Sequence, residues 1–301
     1  MPLDRSLGRN VHFYDAMTPQ VPLGGMIQNG SVTENNFLDM LGILLISQAP
    51  LRVQERTSGH VVTTNNNPLQ PGEYDIYSNS HIEVSNEPWV HRLISHSVSG
   101  REDSFRHGIR ARDGRCVMSG VVNIRAQYDI WSGFEATHIF PLEKESLWNQ
   151  YNYGRWIRDV TPGVAKINSR QNGFLLRGDI HTDFDNYLVS VNPDVSALEV
   201  SSLFTLTGPK DNYKIVVFGL DVLNIDGRTL DPICHHPTNP HRVSDQLLGW
   251  HFRQSVLANM KAAGEPIFEH DFPPGTDIMG EICEGPYAQE RLEMEFASRL
   301  R

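Results

Sequence analysis

The run Asn172-Gly-Phe-Leu-Leu-Arg-Gly-Asp-Ile-His181-Thr-Asp-Phe-Asp185, with Ala136-Thr-His138-Ile-Phe-Pro141 upstream, constrains this chain more than any other stretch. Asn-Gly marks a turn. The apolar residues after it read as a strand, and a short helix follows over 179–187. In that helix His181 and Asp185 stand four residues apart, so an imidazole and a carboxylate share one face, a turn apart. Ile180 and Phe184 occupy the adjoining four-residue step and anchor the helix in a core. His138 falls on an earlier strand, 133–141. Two strands and a helix around a few polar side chains make the fold class α+β.

Other stretches add to this pattern. Arg112-Asp-Gly-Arg-Cys-Val-Met-Ser-Gly120, Ile167-Asn-Ser-Arg-Gln-Asn-Gly-Phe-Leu-Leu176, Leu248-Gly-Trp-His-Phe-Arg-Gln254 and Asp271-Phe-Pro-Pro-Gly-Thr-Asp277 join the two motifs above. Together they resemble the fungal HNH-domain proteins of the HNH nuclease superfamily, and the resemblance runs from near residue 100 to the end. It implies a central ββα-metal finger embedded in a larger mixed α/β chain with a helical C-terminal region. It further implies a phosphodiester hydrolase: a metal-dependent endonuclease with little sequence specificity, acting on nucleic acid, DNA ahead of RNA.

The residues fit that chemistry. Hydrolysing a phosphodiester needs an activated water and a positive centre for the phosphate and the departing oxygen. His138 is the candidate base, since neutral imidazole accepts protons near pH 7. Asn172 is the candidate brace, able to hydrogen-bond across the loop that carries the base. An ordinary Asn-Gly turn is compatible with that role, and the nine-residue offset to His181 supports the ligand reading of the helix. His181 and Asp185 are the candidate metal ligands. Many superfamily members carry a ligating side chain directly before the base, where this chain has the neutral Thr137. Glu135, on the same strand face, is the substitute carboxylate. Two or three ligands suit one hard divalent ion, Mg²⁺ ahead of Mn²⁺ or Zn²⁺. Arg170 and Arg177 flank the second strand as phosphate-binding candidates. Arg106 and Arg110, four apart on a helix over 103–112, form either a phosphate-facing pair or a solvated face.

Charge opens an alternative. The formal net charge is −10, the wrong sign for a general grip on nucleic acid. Residues 99–181 carry twelve Arg/Lys against nine Asp/Glu, whereas 265–301 carry nine acids and three arginines. A locally basic core can bind nucleic acid, but an acidic tail can screen it. The second reading is therefore an HNH scaffold without nuclease activity, acting on a small molecule or binding a protein partner.

The remaining signals concern organisation. Residues 1–98 read as a mixed α/β region, 99–230 as the nuclease-like domain, and 231–301 as a Pro/His linker with a helical extension. Strands are expected at 11–14, 52–64, 76–84, 115–125, 198–207 and 213–220, the last two as a hairpin. Helices are expected at 34–48, across the aromatic insert 143–166, from Ser244 to Met260, and at 286–300. The three cysteines lack any C-x-x-C pairing, which argues against a thiolate zinc site and for a reduced compartment. His235, His236 and His241 lie among prolines, where turn chemistry explains them better than a second metal. With no apolar leader and no membrane-length run, the expectation is an intracellular protein without a membrane partner.

Overall fold

The computed structural model describes residues 5–90, 92, 100–159, 166–193, 212–262 and 264. Strand β1 (Val11–Asp15) runs antiparallel to β2 (Pro22–Met26). Helix α1 (Glu34–Leu44) opens on a reciprocal cap: Asn36 N–H donates to Thr33 Oγ1, and Thr33 N–H donates to Asn36 Oδ1. It stops four residues short of the expected 48, because Leu45 turns extended and begins β3 (Leu45–Ile46). Then follow β4 (Arg52–Glu55), β5 (Gly72–Tyr77) and β6 (Glu83–Val84). The main sheet has the order β2-β1-β5-β4, with β1 and β5 parallel, while β6 pairs with β3.

Helix α2 (Gly100–Asp113) leads into the central unit. The strand expected at 115–125 is replaced by turns with one isolated bridge, Arg115 to Val122. Gly114 and Gly120 take φ of 64° and 75°, a left-handed bend that breaks a ladder. Strand β7 (Phe134–His138) is followed by α3 (Glu145–Gln150), β8 (Gly173–Arg177), α4 (Gly178–Asp185) and β9 (Val189–Asn192). The insert is one short helix with 3₁₀ turns rather than a long helix. β10 (Lys214–Val217) pairs antiparallel with β9 along one edge. Residues 198–207 and 286–300 lie outside the described residues.

The expected linker holds a helical turn, α5 (Pro232–His235), which Asp231 caps by accepting from Ile233 N–H. Helix α6 (Asp245–Met260) closes the described chain.

Two hydrophobic cores share walls. One gathers Val11, Phe13, Phe37, Leu41, Tyr74 and Ile76; the other gathers Phe140, Phe174, Leu176, Ile180, Phe184 and Val191. Strand β10 serves both by alternation, with Val216 in the first and Ile215 and Val217 in the second. Helix α6 places Leu247, Leu248 and Trp250 in the second and Phe252, Val256, Leu257 and Met260 in the first. Its polar residues are buried too, each satisfied: His251 by Ser190, Gln254 by Val90 N–H, Asn259 by Tyr187 and Ser255 carbonyls. β2 presses so closely on its end that a Cβ on Gly24 would lie 2.0 Å from the Met260 carbonyl oxygen. No helix among the described residues is long and apolar enough to cross a membrane.

Candidate active site

β7 and β8 pair antiparallel with His138 opposite Gly173 and Glu135 opposite Leu176. Phe105 and Ile109, four apart on α2, bury against this pair with Leu175. The Phe105 ring stacks on the His138 imidazole, centroids 3.9 Å apart and planes 7° from parallel. Gly173 makes room: a Cβ there would lie 2.4 Å from the Phe105 ring and 2.5 Å from the Thr137 carbonyl oxygen.

His138 Nε2 lies 3.1 Å from Asn168 Oδ1. A carboxamide oxygen only accepts, so in this arrangement Nε2 carries the proton and Nδ1 keeps its lone pair. Burial, joined by the charge on Arg92, pushes this imidazole down to about 4, against the hydrogen bond to Asn168. It is neutral at pH 7. Asn172 is fully buried and uses its whole carboxamide on the turn after His138. Oδ1 accepts from Phe140 N–H at 2.8 Å, while Nδ2 donates to the carbonyls of Phe140 and Ile167 at 3.1 and 2.8 Å.

Helix α4 starts directly after β8 and presents His181 toward β7. His181 Nδ1 lies 2.5 Å from Glu135 Oε2, and Nε2 lies 3.1 Å from Asp185 Oδ2. Burial opposes charge on this ring, but the hydrogen bonds and charges of Asp185 and Glu135 outweigh it and raise its pKa to about 9. Asp185 is nearly buried, which disfavours ionisation; the charges of Arg92 and His181 prevail and keep its pKa below the usual carboxylate value. Arg92 Nη2 stands 2.7 Å from Asp185 Oδ1.

A recess of about 80 Å³ collects these groups, lined by His138, His181, Asp185, Arg92, Arg106 and Phe105 among others. His138 and the His181–Asp185 pair, from separate stretches of the sequence, thus line one pocket. Residues 116–192 match the family model of the HNH endonucleases. Residues 8–83 match a second family model, described as a domain of unknown function (DUF8573). No curated protein and no solved structure matches the chain.

The structure locates the other site candidates as follows. Thr137 is buried and lies outside the recess, which its neighbours Ala136 and His138 line. Glu135 sits at Nδ1 of His181, on the opposite side of the ring from Asp185, so it does not share a ligand position with that carboxylate. Arg177 pairs with Asp179, and Arg170 lies across Gly108 of α2; neither lines the recess. Arg106 does line it, whereas Arg110 sits over the Trp131 ring at 4.7 Å. The roles of Phe105, Asn168 and Arg92 rest on tertiary packing and escape a sequence reading.

A divalent cation fits the donor set on one side. Asp185 Oδ1 is buried against Arg92 Nη2 at 2.7 Å, and Oδ2 is the oxygen beside His181 Nε2. A cation held on these donors would take the place of the Nε2 proton. Among the described residues no group of three or more His, Cys, Asp or Glu converges. Among the described residues the donors there that could hold a cation are His181 and Asp185, with Glu135 at Nδ1 of the same ring.

Proposed function

We propose that this chain is a metal-dependent endonuclease that hydrolyses phosphodiester bonds in nucleic acid with little sequence preference, using the recess between β7 and α4. The reading rests on one juxtaposition: a neutral imidazole, His138, facing the same small recess as the His181–Asp185 pair. His138 Nδ1 takes the proton from the attacking water, while Asn168 holds the Nε2 proton in place. Asn172 fixes the backbone that carries this base and does not meet substrate. His181 and Asp185 hold one divalent ion, Mg²⁺ ahead of Mn²⁺ or Zn²⁺, and Glu135 sets the His181 ring. That ion, when bound, supplies positive charge for the phosphate and the departing oxygen. Arg106 and Arg92 add positive charge around the recess. A cavity of this size takes a phosphate and water rather than a stacked base, which favours backbone over base recognition. Residues 99–230 are the nuclease-like domain in this reading, with 1–98 and 231–301 flanking it.

The test is nicking of supercoiled plasmid, and cleavage of RNA in parallel, with Mg²⁺, Mn²⁺ or Zn²⁺. His138→Ala is expected to lower the rate by about 10²–10⁴-fold, and His181→Ala to abolish the metal response. Activity in His138→Ala equal to that of the parent would remove the reading.

One observation favours a second reading. Arg92 already neutralises Asp185, and the chain carries a net −10. A repurposed HNH scaffold, binding a protein or a small molecule, is consistent with both. An electrophoretic shift across salt separates the two, because contact with phosphates weakens steeply as salt rises.

A further inference from the structure

We infer that Arg92, 24 residues before the HNH segment, is a positioning residue that fastens the base-bearing end of β7 to helix α4. The inference rests on the endonuclease reading for its kinetic consequence, and on geometry alone for its structural one.

The contacts span two elements. Nη1 donates to the Ile139 carbonyl at 2.6 Å, and Nη2 donates to the His138 carbonyl at 2.6 Å. Nη2 also stands 2.7 Å from Asp185 Oδ1. The guanidinium carbon lies 5.3 Å from the Phe184 ring centroid and 6.0 Å from that of Tyr187. One planar fork thus sets how far the His138 backbone stands from the Asp185 carboxylate. Only a guanidinium matches that job, since a lysine ammonium is a point charge and not a planar fork. Because His138 and Asp185 line the same recess, this separation is the one a reaction there depends on.

The chain before Arg92 is itself pinned. Val90 N–H donates to Gln254 Oε1 of α6 at 2.7 Å, and the Tyr187 hydroxyl donates to the Val90 carbonyl at 2.7 Å. The Trp89 ring meets the Tyr187 ring edge-on at 5.7 Å. The N-terminal third therefore delivers a part of the site, through a short segment held by α6.

The test compares wild type, Arg92→Met and Arg92→Lys by two readouts. The first is the position of the His138 ring protons in an NMR spectrum, assigned with His138→Gln. Stacked on Phe105, they resonate upfield of free histidine. In Arg92→Met they are expected to move toward the free value, while protons of the Phe13–Phe37–Tyr74 cluster stay put. The second is cleavage with Mn²⁺: Arg92→Met should lose about 10²-fold in kcat, the scale of a small misplacement, with KM little changed. Arg92→Lys should fall between the two, and it carries the comparison if Arg92→Met does not fold. Unmoved His138 resonances in a folded variant with wild-type kcat would overturn the inference. If wild type cleaves nothing, the endonuclease reading fails, and the ring protons alone decide the role of Arg92.

Discussion

The imidazole of His138 lies flat on Phe105, 3.9 Å away, in a space that exists because residue 173 has no side chain. Packing, more than hydrogen bonding, thereby sets the plane of this ring. Gly173→Ala is expected to destabilise the protein by about 1–3 kcal/mol, the usual cost of an overfilled core. It should also displace Phe105 from the His138 ring. Urea unfolding measures the first effect and the upfield shift of the His138 ring protons the second. A variant as stable as wild type, with the stack intact, would contradict this account.

The pH dependence of stability follows from the same burial. His138 has its pKa pushed from 6.5 down to about 4. Between those values the unfolded chain binds a proton that the folded protein refuses. The stability His138 allows is therefore complete above pH 6.5 and lost as pH falls toward 4, with a slope of at most about 1.4 kcal/mol per pH unit. His251, fully buried on Phe184 with its pKa driven well down, adds a loss of the same sign. Unfolding free energies of wild type and His138→Gln from pH 7 to 4 should converge as the pH drops. Parallel curves would show that His138 titrates alike in both states.

How much of this was legible depends on whether a signal was local. The helix starting at 34, the strand at 134–138 and the His181–Asp185 helix face arise from neighbours in sequence, and their residues announce them. Asn172 sits in a recognisable Asn-Gly pair. Arg92 and Phe105 line the same recess and Asn168 meets the His138 ring, all through tertiary packing that no local pattern encodes. Arg170 and Arg177 looked equally suited for phosphate by sequence, but α2 and Asp179 take them up. Helix α6 exposes a different limit. A 3.6-residue pattern assumes that polar residues face water, yet His251, Gln254 and Asn259 are buried with partners from other segments, and Ser255 is buried on the His251 carbonyl one turn back.

Asn172 offers a test of bracing apart from catalysis. Asn172→Ala strands the Phe140 N–H and the carbonyls of Phe140 and Ile167 in a buried turn. The expected cost is at least about 2 kcal/mol, read by chemical denaturation. Asn172→Asp keeps the acceptor for Phe140 N–H but turns an oxygen toward two carbonyls, so it should be no better than Ala. If Asp restores wild-type stability, the donated hydrogen bonds contribute nothing.

The proposed metal site makes a prediction that needs no catalysis. A ligand that binds only the folded state raises its stability by RT ln(1 + [L]/Kd), about 2.7 kcal/mol at a hundredfold excess over Kd. Mn²⁺ should therefore raise the melting temperature of wild type in a concentration-dependent way. His181→Ala and Asp185→Asn remove one ligand each and should show no such rise. Glu135 meets the His181 ring at Nδ1, away from Asp185, so Glu135→Gln should keep the rise but require about 10–100-fold more metal. The three variants thus separate holding the ion from aiming the ring that holds it. A melting temperature that climbs equally in wild type and His181→Ala would place the metal elsewhere in the protein.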